Sequence, residues 1–196
     1  MLKESALSPE RPSEILFPAD RIQQRVVGIA NDIRGFYKSL EIEDPVMIAL
    51  LIGARPFAHD LYETFNNNGW DNPIHLLHAH SYEGDESTGA LTVDEDALNR
   101  LDLEGRHALV IDDVLDSGVT ARAMDAMLRE GFGAASTQLA VMVDKVVLGR
   151  DEKARFTGFK TDPNHWIFGY GMDQGRDDDP RSEAARHLPY IARFTD

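Results

Sequence analysis

The segment from His107 to Met124, HALVIDDVLDSGVTARAM, constrains this chain more than any other stretch. Its apolar first half reads as a β-strand, predicted over Arg106 to Val114, that delivers two adjacent carboxylates, Asp112 and Asp113, to the strand's C-terminal end. Asp116-Ser117-Gly118-Val119-Thr120 then turns straight into a helix predicted over Val119 to Arg129 and closed by Gly131. In open α/β sheets ligands bind beyond the C-terminal ends of the strands. A helix start offers unpaired N–H groups and a positive dipole end, which favour a phosphate. Gly118 lets backbone approach a ligand closely, and Ser117 and Thr120 add hydroxyl donors. Two acids beside a phosphate site make sense once a sugar is placed there. Carboxylates accept hydrogen bonds from vicinal ribose hydroxyls and help hold Mg²⁺. The pattern therefore points to a phosphorylated ribose. The plainer alternative is that Asp116 or Ser117 caps the helix and the acids are solvated. A P-loop is excluded because no lysine follows the glycine, and a dinucleotide fold lacks its G-x-G-x-x-G.

The flanking sequence supplies the sheet that such a loop needs. Pro45 to Gly53 is a continuous apolar run, as in a strand covered on both faces. A helix is predicted from Asp20, read as its cap, to about Leu40, with Ile22, Val26, Ile29, Ile33 and Phe36 on one face. A second helix runs from Pro56 to near Gly69, and Pro73 to His80 is a further strand. Ser81 to Thr92 is polar, carries two glycines and reads as a mobile lid. Ser136 to Asp144 is a fourth strand, and the tail from Arg155 holds strand-like pieces at 156–159, 166–170 and 190–194. This alternation predicts an α/β fold with a parallel sheet and crossover helices. Residues 1–19, with three prolines and little periodicity, read as an irregular arm ahead of a single domain over 20–196.

Composition narrows the partners. The formal net charge is −14, which argues against nucleic-acid binding, since phosphate backbones require a basic face. No apolar run approaches the roughly 20 residues that span a bilayer, so no membrane insertion is expected. Cysteine is absent, which excludes disulfides, thiolate metal sites and a cysteine nucleophile, and makes a reducing cytoplasmic compartment the simplest reading. Arginine outnumbers lysine 15 to 5, so each lysine draws notice.

The Asp112–Thr120 segment resembles the phosphoribosyl-diphosphate signature of the type I phosphoribosyltransferases, and its Asp-Ser-Gly-Val-Thr form is most similar to the hypoxanthine-guanine branch. Four further stretches are similar in the same order. Ser81-Tyr82 resembles the start of that branch's mobile hood, and Asp144-Lys145 its purine-selecting lysine motif. Trp166 to Asp173 resembles its Phe-Val-Val-Gly-Tyr segment ending in Asp, and Arg186 to Ile191 its Arg-His-Leu-Pro-Tyr-Ile. The resemblance implies a parallel-sheet type I phosphoribosyltransferase fold with flanking helices and a small hood formed by the terminal segments. The implied reaction joins phosphoribosyl diphosphate and a purine base, hypoxanthine or guanine, with Mg²⁺, in a homodimer or homotetramer. A xanthine-preferring relative or a nucleotide-sensing protein without turnover are the alternatives.

By the same resemblance, Asp112 and Asp113 hold the ribose hydroxyls with metal nearby, and Asp116 to Thr120 cradle the 5′-phosphate. Asp116 also faces the purine five-membered ring as the catalytic proton acceptor or as a hydrogen-bond partner. Gly53, Ser81, Tyr82 and Arg186 serve the diphosphate. Lys145 donates to the purine's exocyclic oxygen, Trp166 stacks on the base, Ile167 offers backbone to its edge, and Asp173 contacts metal or base. The bland role for Lys145 is a salt bridge with Asp144. Three positions depart from the family pattern. Leu51-Ile52-Gly53 stands where a basic residue usually precedes the glycine, with Arg55 the candidate replacement. Asp112 replaces a common Glu. Asp173 and Arg186 lie 13 positions apart, wider than usual, the excess reading as an acidic surface insertion. His75, His78 and His80 read as strand residues, since only the last two share a face. Asp177-Asp178-Asp179 reads as a solvated acidic turn.

Overall fold

The computed structural model of the protein describes residues 12–81, 91–175 and 180–195. Strand β1 (Ser13–Phe17) leads into helix α1 (Ala19–Ser39), then β2 (Val46–Leu51), α2 (Arg55–Asn67), β3 (Ile74–Ser81), β4 (Leu91–Val93) and the short α3 (Glu95–Asn99). There follow β5 (His107–Leu115), α4 (Val119–Ala126), which runs on as a π turn over Met127–Gly131, β6 (Ser136–Lys145), β7 (Phe156–Thr161), β8 (Ile167–Phe168), α5 (Pro180–Ala185) and β9 (Ile191–Phe194).

The central sheet has the order β4-β3-β2-β5-β6-β7, parallel except for β4, which runs antiparallel to β3. The continuous apolar run of β2 follows from cover on both faces. Met47 and Ala49 pack with Ile22, Ile29 and Ile33 of α1 and with Phe57 and Leu61 of α2. Val46, Ile48 and Leu50 pack on the opposite face with Leu98 of α3 and Met124 and Leu128 of the α4 region. Strand direction reverses its order about β2, since β3 lies on one side and β5 on the other. The C-terminal ends of β2 and β5 thus flank a topological switch point, where α/β sheets place their ligands.

Several elements differ from the sequence reading. Ser13–Phe17 is not irregular: it pairs antiparallel with β9, which also pairs with β8, in a separate three-stranded sheet. A strand made by a partner some 180 residues away leaves no local periodicity to read. Helix α1 starts two residues earlier than expected, with Pro18 rather than Asp20 at the N-cap and Asp20 in its first turn, and Phe36 is half-buried while Tyr37 fills the core and donates to the Ala108 carbonyl at 3.2 Å. The polar loop ends sooner, at β4, and Asp94 caps α3 by accepting from the Ala97 N–H at 2.9 Å. Phe156–Thr161 is the sixth strand of the main sheet, so only the later tail joins β1 in the small hood. The acidic turn over 177–179 lies outside the described residues.

Candidate active site

Asp112 and Asp113 lie two to three residues before the end of β5, beside the loop that leaves β2. Gly53 is required there, because a Cβ at that position meets the Asp113 carboxylate. The Asp113 N–H donates to Asp112 Oδ1 at 2.9 Å, and the Val114 N–H donates to Asp113 Oδ1 at 2.8 Å. Both side chains are partly accessible from the cleft yet crowded by surrounding atoms. Burial pushes the Asp112 carboxyl well up, and the neighbouring Asp113 pushes it further. Burial also raises Asp113, opposed by hydrogen bonds from Asp112 and Val114 and by the Arg186 guanidinium. Two crowded carboxyls sharing a site gain from a nearby cation or from hydroxyl donors.

The turn after β5 is open to an anion. Gly118, at φ +87°, is the N-cap of α4, and no side chain caps the helix. The first backbone bond into the turn is Arg122 N–H to the Gly118 carbonyl at 2.9 Å, while the Val119 N–H donates to Ser117 Oγ at 3.5 Å, a long bond that a phosphate oxygen can replace. Asp116 therefore is not a cap. Its Oδ2 instead accepts from Lys145 Nζ at 2.6 Å, joining the turn to the end of β6. Lys145 does not pair with Asp144 either, because Asp144 is held by Arg150 at 2.5 Å. Ser117 is exposed, Thr120 half-buried and the Val119 side chain exposed at the mouth.

Arg150 was not singled out by its sequence context, a polar connection among 15 arginines. Its guanidinium binds the Asp144 carboxylate and donates to the carbonyls of Leu115 at 3.1 Å, Asp116 at 2.8 Å and Lys145 at 2.8 Å. One buried side chain thus ties the ribose-phosphate turn to the lysine strand end. Only the tertiary fold brings those four acceptors together.

The tail completes the cleft. Trp166 precedes β8 and is 53 % exposed, with its indole laid against Gly175, where a Cβ has no room. Ile167 is buried in register with Arg193 of β9. Asp173 Oδ1 accepts the Gly175 N–H at 2.8 Å, and its other oxygen is held by Arg186. Arg186 also donates to the Gly171 carbonyl at 2.7 Å and to Glu183 at 3.0 Å. Gly171, at φ +99°, packs on the Gly53 carbonyl, which connects the tail to the Asp113 side of the cleft. Among the described residues no group of three or more His, Cys, Asp or Glu side chains is gathered to hold a metal ion, and Asp173 pairs with Arg186. The backbone of Ser81 ends β3 opposite Leu91, and Tyr82 lies outside the described residues.

Comparison with known proteins gives this arrangement a family. The phosphoribosyl transferase domain matches residues 16–175. The chain belongs to that family. It is 32 % identical over 163 residues to the hypoxanthine-guanine-xanthine phosphoribosyltransferase of Tritrichomonas foetus, covering 81 % of this chain and 82 % of the relative. It is 30 % identical to the hypoxanthine-guanine phosphoribosyltransferase of Aquifex aeolicus, covering 93 % and 95 %. The hypoxanthine phosphoribosyltransferase of Trypanosoma cruzi in complex with IMP superposes with a TM-score of 0.78 at 26 % identity, covering 95 % of this chain and 96 % of that one. The fold is that of the type I phosphoribosyltransferases, and among the described residues no helix is long and apolar enough to cross a membrane.

Proposed function

We propose that this phosphoribosyltransferase moves the phosphoribosyl group of phosphoribosyl diphosphate onto hypoxanthine or guanine, giving IMP or GMP and diphosphate in purine salvage. The Lys145–Asp116 pair carries the reading, because it places a cation and a carboxylate side by side above the ribose-phosphate turn. A 6-oxopurine offers the complementary edge: an oxygen for Lys145 and a protonated ring nitrogen for Asp116. The C1′–O bond to diphosphate breaks, a C1′–N bond forms, and the proton displaced from the imidazole ring passes to Asp116. Adenine presents an amino group to an ammonium that only donates, and is rejected. Trp166 covers the base face, and Ile167 lines its edge with backbone.

Residues 116–120 receive the 5′-phosphate, and Asp112 and Asp113 receive the ribose hydroxyls. The raised, adjacent carboxyls of Asp112 and Asp113 suit Mg²⁺, which binds through one or two carboxylates together with substrate phosphates. When bound, the metal offsets charge on the leaving diphosphate. Arg186, Gly53 and Ser81 serve the diphosphate side, and Arg186 also fixes Asp173 and Gly171 there. The cysteine-free sequence suits a cytoplasmic enzyme, and its assembly as a homodimer or homotetramer is measurable by light scattering.

The test supplies purified protein with Mg²⁺, phosphoribosyl diphosphate and hypoxanthine or guanine. Nucleoside monophosphate and diphosphate appear in equal amounts. No nucleotide with any oxopurine contradicts the proposal and favours a nucleotide-sensing protein. The name of the Tritrichomonas foetus relative includes xanthine, so xanthine belongs in the same panel as a third acceptor.

A further inference from the structure

Trp166 stands at the seam between the two sheets, and the residue before it joins them. A turn over Asp162-Pro163-Asn164 leaves β7 and is closed by two bonds. The Asn164 N–H donates to Asp162 Oδ1 at 2.8 Å, and the His165 N–H donates to the Asp162 carbonyl at 3.2 Å. Asp, Pro and Asn each favour such a turn through their own side chains. The turn sets the half-buried His165 ring between Thr161, the last residue of β7 in the main sheet, and Arg193 of β9 in the hood.

Both ring nitrogens of His165 are used. The Arg193 guanidinium lies against Nε2, and because a guanidinium only donates, Nε2 accepts. The ring proton therefore sits on Nδ1, where it donates to Thr161 Oγ1 at 2.8 Å. Arg193 is fixed in turn. Its Nε donates to Glu14 Oε1 at 2.5 Å, and the two residues face each other in the β1–β9 register. Arg193 also stands opposite Ile167 of β8, the residue after Trp166. A chain of side chains, Thr161–His165–Arg193–Glu14, thus runs from the edge strand of the main sheet across the hood. The Trp166 backbone lies beside it, and its carbonyl accepts from the Phe194 N–H at 3.3 Å. The indole is 53 % exposed and rests on Gly175, so its position depends on the backbone that carries it.

We infer that His165 is a positioning residue for base binding: by bridging Thr161 and Arg193 it fixes the backbone that presents Trp166 to the purine. The inference rests on the transferase reading above, which lays Trp166 over the base. A stacking ring contributes most when its plane is already set for the ligand, because no ordering cost is then met on binding. His165 touches no substrate in this role. The ribose-phosphate turn belongs to β5 and α4, so loss of the bridge is felt by the base and not by phosphoribosyl diphosphate.

The experiment compares His165→Phe, which keeps a ring and removes both bonds, with His165→Gln, whose side-chain oxygen reaches the place of Nε2. In His165→Phe the KM for hypoxanthine is expected to rise about threefold to tenfold, a part of the stacking that a base gains on an aromatic ring. The kcat and the KM for phosphoribosyl diphosphate stay unchanged. His165→Gln recovers most of the base affinity by accepting from Arg193 again. Thr161→Val, which removes one hydroxyl and leaves the imidazole in place, raises the KM for hypoxanthine in the same direction. Acrylamide quenching of Trp166 fluorescence gives a readout independent of turnover, in a Trp70→Phe background that removes the other tryptophan. Quenching increases in His165→Phe and returns to the starting level in His165→Gln. An unchanged hypoxanthine KM in His165→Phe, or in Thr161→Val should the first variant not fold, overturns the inference. So does a rise shared equally by both substrates, or one that His165→Gln does not repair, which marks a structural role. A wild type that makes no nucleotide fails the transferase reading instead, and the quenching comparison still decides whether His165 holds the indole.

Discussion

Replacing Arg150 by methionine tests how the two halves of the site are held together. The Arg150 side chain is 7 % exposed and its partner Asp144 13 %, so the change leaves a nearly buried carboxylate without its counter-charge. It also strands the carbonyls of Leu115, Asp116 and Lys145. Breaking a buried pair on one side costs about 3–5 kcal/mol, a large part of the roughly 5–15 kcal/mol that holds a domain folded. For a chain of this length each kcal/mol shifts the melting temperature by about 2–4 °C, so a fall of roughly 10 °C is expected by calorimetry. Asp144→Leu combined with Arg150→Met removes both charges and recovers most of that loss, because an apolar pair of similar volume tolerates burial. Activity does not follow stability. The turn and the strand end remain untied, Lys145 and Asp116 lose their common reference, and kcat/KM for the base stays down on the order of a hundredfold. A single variant that loses less than about 1 kcal/mol refutes the electrostatic part of this reasoning. A double variant with full activity refutes the positioning part.

Asp112→Asn is expected to stabilise the ligand-free protein at pH 8 while lowering turnover. The raised Asp112 carboxyl favours its protonated form in the fold, so its contribution is intact below the ordinary carboxylate range and is lost as pH rises through the raised value. An amide escapes that loss, and the variant's advantage of about 0.5–2 kcal/mol grows from pH 5 to pH 8 in thermal melts. A wild type that is the more stable form at pH 8 contradicts the raised carboxyl. Trp166→Ala is expected to raise KM for hypoxanthine about tenfold or more, the scale of base–aromatic stacking, with KM for phosphoribosyl diphosphate unmoved. Equal effects on both substrates point to collapse of the Gly175 turn against which the indole rests.

What was legible in the sequence were features whose cause is local. Two acids at a strand end and an uncapped glycine turn are read from consecutive residues, and β5 and α4 place them as expected. The continuous apolar run of β2 announced a strand covered on both faces for the same reason. Features made by distant partners were not legible. Strand β1 exists because β9 pairs with it, and Arg150 matters because four acceptors from two strand ends and a turn meet at its guanidinium. Lys145 stands between these cases. Its place at the end of β6 was visible, but only the fold shows that it meets Asp116 and leaves Asp144 to Arg150.

The Lys145–Asp116 pair makes base discrimination the most direct test of the whole account. The measurement compares kcat/KM for hypoxanthine, guanine, xanthine and adenine under the same Mg²⁺ and phosphoribosyl diphosphate. A site built to bond a purine oxygen favours a 6-oxopurine over adenine by at least about a hundredfold, and the gap shrinks in Lys145→Ala. Comparable use of adenine by the wild type contradicts the account.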